Sequence, residues 1–240
     1  MIYIYDGTRD GFLTVFPTAY TDREALLIST QRQLILGQQT VTVQTDRECA
    51  TRVKKRLLSF DVKCIQDLEI ILRCSDPLRD DVAFRYIKLI AQKKRPVREM
   101  LGEDAVMTAK DYLWKVKHEL ERFRGFVRFM ESASGALYAP ISPDHDISDL
   151  IALHFRARLP NFPFVIHDVT RKKAAVYDGI NLFQAPLENA EIVLSAQEQA
   201  WQNLWKNYFE HVNIIPRERL KQQRAYLPVR YRKFMPEFES

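Results

Sequence analysis

The chain has 240 residues and a mass of 28.2 kDa, with 46% hydrophobic and 28% charged residues, so a buried core is expected and wholesale disorder is not. Its seven glycines, at positions 7, 11, 37, 102, 125, 135 and 179, never stand two or five apart. That spacing excludes the G-x-G-x-x-G dinucleotide fingerprint and the G-x-x-x-x-G-K phosphate loop. The formal net charge is +5 and is concentrated: Arg217 to Lys233 holds seven basic residues against the single acid Glu218.

Cys49, Cys64 and Cys74 are odd in number and far apart. They form neither a C-x-x-C pair nor the cysteine triplet of a radical-SAM cluster, and they point to a reducing, cytoplasmic setting. The five histidines contain no i, i+4 pair, so H-E-x-x-H is absent. No apolar run has the roughly 18 residues of a membrane span. The opening MIYIYDG lacks the basic flank of a signal peptide. No metal set and no cofactor is assigned from the sequence.

In chain order, Ile2–Tyr5 reads as a strand stopped by Asp6-Gly7, and residues 8–20 as a helix bent by Pro17. Leu34–Leu36 and Thr40–Gln44 read as strands around Gly37. Thr45-Asp46-Arg47-Glu48 has the form of a capping box before a helix carrying Ala50, Val53 and Leu57 on one face. From 62 to 122 the period is helical throughout. Asp76-Pro77 marks one helix start. Val106, Ala109, Leu113, Val116 and Leu120 mark the core stripe of a long helix.

After Gly125 the period falls to two. Phe126–Met130 and Ala136–Pro140 are expected to pair across the Ser132–Gly135 turn, and Phe164–Asp168 with Ala174–Asp178 across a tip at Arg171-Lys172. A helix is expected at 147–158, with Asp146 as its N-cap. Another follows the capping box Ser195–Glu198, with Trp201, Leu204, Trp205 and Tyr208 along one side. The expected fold class is α+β: an N-terminal α/β and helical part, 1–122, packed against a C-terminal antiparallel-sheet part with flanking helices, 123–240.

Two chemistries are open. His145, His167, Glu131 and Asp178 combine imidazole with carboxylate, the groups that activate water in a hydrolase or lyase. Structural roles compete with this reading: Asp146 as a cap, Asp168 and Asp178 as turn formers and His154 as a satisfied core histidine, so the chain's standing as an enzyme stays open. Arg124 and Arg128 are expected on one face of the strand after the long helix. With Arg171 and Lys173 at the hairpin, and Arg230, Arg232 and Lys233 among the tail's Tyr and Phe, they suit phosphates and stacked bases. Lys93–Arg98 is a second basic run. A solvated, solubilising face is the plain alternative.

The blocks IYIYDGTRDGF, FRGFVRFMES, PDHDISDLIALHF, FVIHDVTRKKAAVYDG and WQNLWKNYFEHVNI with RYRKFMPE resemble a bacterial family of unknown function, the radical-SAM-associated DNA metabolism or repair proteins. The resemblance runs over essentially the whole chain. It implies DNA as a partner, single-stranded or damaged, and an accessory role in repair or modification beside a radical-SAM protein. A uracil-DNA-glycosylase-like protein is a further implied companion, because some members are fused ahead of such a domain; with Ser240 as its end, this chain is expected to lack it. The resemblance brings no established activity or catalytic residue.

Overall fold

The computed structural model describes residues 1–22, 24–29, 39–212 and 219–238. The chain divides into two compact units, Met1–Lys117 and His118–Ser240, and its class is α+β.

In the first unit, β1 (Ile2–Tyr5) is the centre of a parallel sheet between β2 (Leu26–Ser29) and β3 (Thr40–Thr42). All four residues of β1 are buried, which is why it reads as a continuous apolar run, as expected of a parallel strand covered on both faces. Helix α1 (Arg9–Tyr20) follows, with Thr8 capping the Gly11 amide. It buries Phe12, Leu13, Val15, Phe16 and Ala19. The sequence pattern did not mark β2, and the strand expected at 34–36 lies outside the described residues.

Helices α2 (Arg47–Phe60), α3 (Cys64–Leu72) and α4 (Arg79–Lys93) complete this unit with the first turns of α5 (Asp104–Phe126). The cap of α2 is Asp46 rather than Thr45: its carboxylate accepts from the amides of Glu48 and Cys49, while the Thr45 hydroxyl donates to Asp6 at 2.6 Å. Likewise α4 starts two residues after Pro77, because Asp76 accepts from the Leu78 amide in a preceding turn.

Two buried polar knots tie the first unit together. Asp80, at the start of α4, accepts from the Tyr5 hydroxyl at 2.7 Å and the Ser29 amide at 3.0 Å, joining β1 and β2 to the helix. Arg98 reaches Asp61 and Asp67, both almost fully buried. A buried carboxylate without such a partner is expensive. The basic run 93–98 is therefore not simply a surface charge: its last member is the counter-ion of two core acids.

In the second unit the sheet order is β4 (Met130–Glu131), β5 (Leu137–Ile141), β6 (Phe164–Asp168), β7 (Lys173–Tyr177), β8 (Leu182–Pro186). Both expected hairpins are present, with Met130 opposite Tyr138 and His167 opposite Ala174. The sheet is mixed: β5 and β6 run parallel, since the intervening α6 (Ser148–Arg158) returns the chain to the same edge. The fifth strand, β8, is an addition to the expected set.

Helix α5 runs on to Phe126, so the strand expected from 126 begins only at Met130. The cause is tertiary: Phe123 and Phe126 pack on the Tyr231 ring, with centroids at 5.0 and 6.1 Å. Helix α7 (Glu198–Val212), helix α8 (Leu220–Tyr226) and 3₁₀ segments at Val229–Phe234 and Pro236–Phe238 close the unit.

Candidate nucleic-acid interface

The histidines and carboxylates nominated for catalysis are each held by other partners. His167 is buried on β6, with Nδ1 2.7 Å from the Tyr138 hydroxyl and Nε2 3.0 Å from the Leu187 carbonyl oxygen. A carbonyl can only accept, so Nε2 carries a proton, and in the neutral imidazole Nδ1 accepts from the phenol. Both ring nitrogens are thus occupied, and by neither Asp178 nor Glu131. Asp178 is exposed in the turn after β7, where the amides of Asn181 and Ile180 donate to its carboxylate and hold its pKa below the usual aspartate value. The backbone amide of His145 donates to the buried Glu119. Glu131 lies on β4, where its own amide donates to Glu198 and its carboxylate accepts from Ser195 at 3.3 Å. Ser195 and Glu198 are thereby turned toward β4 instead of forming the expected capping box. Among the described residues no group of three or more His, Cys, Asp or Glu side chains could hold a metal ion.

The nominated cations are also partly spent. Arg124 is on α5, not on a strand, and pairs with Glu121 at 2.6 Å. Arg128 follows the helix and donates from Nε and Nη2 to Glu237, whose side chain is only 1% exposed. The two arginines therefore do not project together from a sheet. At the hairpin tip, Arg171 bonds Asp168 and the carbonyls of Pro143 and Asp144. Lys173 donates to Asp146 at 2.7 Å. That pair replaces the expected cap, because the N-cap position of α6 is Ile147.

In the tail, the Tyr231 hydroxyl donates to Glu119 at 2.6 Å, and Arg230 reaches Asp144 at 2.7 Å. Burial, together with the Glu119 charge, drives the Tyr231 phenol pKa well above its ordinary value. Glu119 also accepts from the amides of Asp144 and His145, both at 2.7 Å. This carboxylate therefore docks the tail and the turn before α6 onto α5. Arg232 bonds the Leu227 carbonyl and lies over the Phe238 ring, and Lys233 lies over Phe234.

What the chain leaves open is aromatic. Trp201, Leu204, Trp205 and Tyr208, at i, i+3, i+4 and i+7 along α7, are 57%, 58%, 39% and 57% exposed. A stripe of that spacing normally faces a core, and an exposed apolar patch of this kind marks an interaction surface. Beneath it is a cleft of about 690 Å³ walled by Phe129, Phe162, Trp201 and Trp205, with Glu131 and Gln202 among its polar lining. Gly135, in the left-handed region at φ 82°, turns the β4–β5 hairpin at its edge. Glu237 holds the wall in place: it accepts from Trp205 Nε1 at 3.1 Å and from Arg128, whose guanidinium lies 5.4 Å from the Trp205 ring centroid.

Several cations adjoin the lining residues in the chain. Arg156 and Arg158 are exposed at the end of α6, next to the lining residue Leu159. Arg124 precedes the lining residue Gly125, and Arg232 and Lys233 precede Pro236. The sequence pattern contained the α7 stripe, but nothing in it distinguished an open stripe from a covered one. Phe162 and the Glu119–Tyr231 dock went unmarked.

The class these features define is an α+β protein whose second unit presents an exposed aromatic row and a cleft lined by it. The family model for the domain of unknown function DUF4130 matches residues 77–237, and the chain belongs to that family. No curated protein and no solved structure matches it. Among the described residues no helix is long and apolar enough to cross a membrane.

Proposed function

We propose that this protein binds nucleic acid in single-stranded or locally unpaired form through its second unit. The observation that carries the reading is the exposed aromatic row of α7, in a unit whose exposed cations include Arg156, Arg158 and Lys233. Stacking on aromatic faces with cations following the backbone is the usual physics of single-strand binding, worth about 1–3 kcal/mol per stacked base. The resemblance adds the setting: an accessory role in DNA repair or modification beside a radical-SAM protein, with a uracil-DNA-glycosylase-like protein as a further companion. The alternative, a DNA-processing hydrolase or lyase, draws no support from the partners of His167 and Asp178.

The test is fluorescence anisotropy of a labelled oligothymidylate at several salt concentrations. Affinity falls as salt rises, with a log–log slope near 0.7 per neutralised phosphate. Arg230→Gln with Lys233→Gln flattens the slope by about 0.7 for each phosphate contact removed. Affinity that ignores salt and both substitutions would discard the tail as the contact surface. No binding at low salt would discard the function.

A further inference from the structure

We infer that the cleft between α7 and the β4–β5 hairpin is a pocket for one unstacked nucleobase, and that Glu131 selects guanine in it. This deepens the binding reading above and rests on it.

The walls come first. Trp201, Trp205, Phe129 and Phe162 line the same space, with the Arg128 guanidinium over the Trp205 ring. About 690 Å³ is within the range of pockets that enclose a small organic ligand. An apolar chain segment could fill such a space too, but the polar lining argues for a planar ring with a hydrogen-bonding edge. Glu198 is buried and already accepts from the Glu131 amide and from Gln202, so it belongs to the pocket's frame. The Glu131 carboxylate is only partly buried, and its bond from Ser195 is long at 3.3 Å. It is the lining group placed to accept from a ligand.

A carboxylate offers two acceptors side by side and no donor. Among the bases, guanine alone has two adjacent donors, N1–H and N2–H, on its pairing edge. Adenine and cytosine bring one amine beside a bare acceptor nitrogen, and thymine flanks its single N–H with two carbonyls. Acceptor facing acceptor is repulsive, so the same group that bonds guanine disfavours thymine. Outside the cleft, Arg156, Arg158 and Lys233 are exposed, and Arg158 adjoins the lining residue Leu159 in the chain; these are the cations we assign to the flanking phosphates of an inserted nucleotide. Arg128 also lines the cleft, but its guanidinium is already bound by Glu237, which leaves the Glu131 carboxylate to read a base edge.

The experiment measures binding of the full chain to labelled 15-mers of thymidine carrying at the centre thymine, guanine, hypoxanthine or an abasic site. Guanine should bind about fivefold or more tighter than thymine, with hypoxanthine between them because it lacks the N2 amine. Glu131→Gln should erase the preference, bringing the guanine and thymine oligomers to equal affinity. Trp201→Ala, at an exposed helix position, should weaken the guanine oligomer about fivefold or more and the abasic one little; Trp201→Phe should restore most of the loss. Equal binding of all four oligomers, unchanged by Glu131→Gln and Trp201→Ala, overturns the pocket while leaving nucleic-acid binding by the basic surface intact. Absence of binding to every oligomer overturns both readings. Trp201-dependent capture of an oligolysine peptide in preference to the guanine oligomer overturns the pocket in favour of a cation cage.

Discussion

Replacing Tyr231 with Phe removes one hydroxyl and keeps the ring that packs on Phe123 and Phe126. The hydroxyl donates to Glu119 at 2.6 Å, and both residues are buried. A hydrogen bond to a charged acceptor is worth about 1.5–3 kcal/mol net. Glu119 retains the amides of Asp144 and His145, so the loss should sit near the middle of that range, at about 2 kcal/mol. With a urea slope of about 2 kcal/mol per molar, the unfolding midpoint should fall by about 1 M. Tyr231→Ala also removes the ring and should cost about 3–5 kcal/mol.

The pH dependence provides a second readout. The folded-state phenol pKa is raised, by burial first and then by Glu119. Its contribution is therefore complete below the unfolded tyrosine value near 10 and is lost as pH climbs above it. Wild type should lose stability in that window by more than Tyr231→Phe does. A Phe variant within about 0.5 kcal/mol of wild type, with the same alkaline profile, would refute the dock and with it the placement of the tail beside α5.

Asp146→Asn should destabilise by about 0.5–1 kcal/mol at low salt and much less at 1 M salt, because the ion pair to Lys173 is lost; an N-cap role would tolerate Asn without loss, so chemical denaturation at the two salt levels separates them. His167→Phe should cost about 1–3 kcal/mol, read by thermal melting, since it strands the Tyr138 hydroxyl and the Leu187 carbonyl; oligonucleotide affinity should not change, and a loss of affinity at unchanged stability would restore His167 to the site. Maleimide on the native chain should label Cys49 first, because Cys64 and Cys74 are buried and burial pushes the Cys64 thiol up to about 12; mass spectrometry of the labelled peptides checks the order, and early labelling of Cys64 would contradict its burial.

Local pattern was enough for much of the fold. A continuous apolar run marked β1, and period-two runs marked both hairpins of the second unit and the tip at Arg171-Lys172, because a strand's side-chain pattern and its turn residues are properties of neighbouring positions. Period-3.6 stripes marked α1, α2, α5 and α7 for the same reason. Caps were less legible. Thr45, Ser195 and Asp146 have the right chemistry at the right spacing, yet each side chain is claimed by a residue distant in sequence or on another element: Asp6, Glu131 and Lys173. A cap competes with every other donor and acceptor that folding brings near, and the sequence does not contain that list.

The same logic governs the candidate interface. Composition determined that the chain has surplus cations and many aromatics, and periodicity determined that Trp201, Leu204, Trp205 and Tyr208 share a face. Only the tertiary structure decided which of these groups are spent. It assigned Arg98 to Asp61 and Asp67, Arg128 to Glu237, and Arg230 to Asp144, and it left the α7 face uncovered. Charge and hydrophobicity are properties of a residue, whereas pairing and burial are properties of a pair. The second kind of information arises only when distant segments meet.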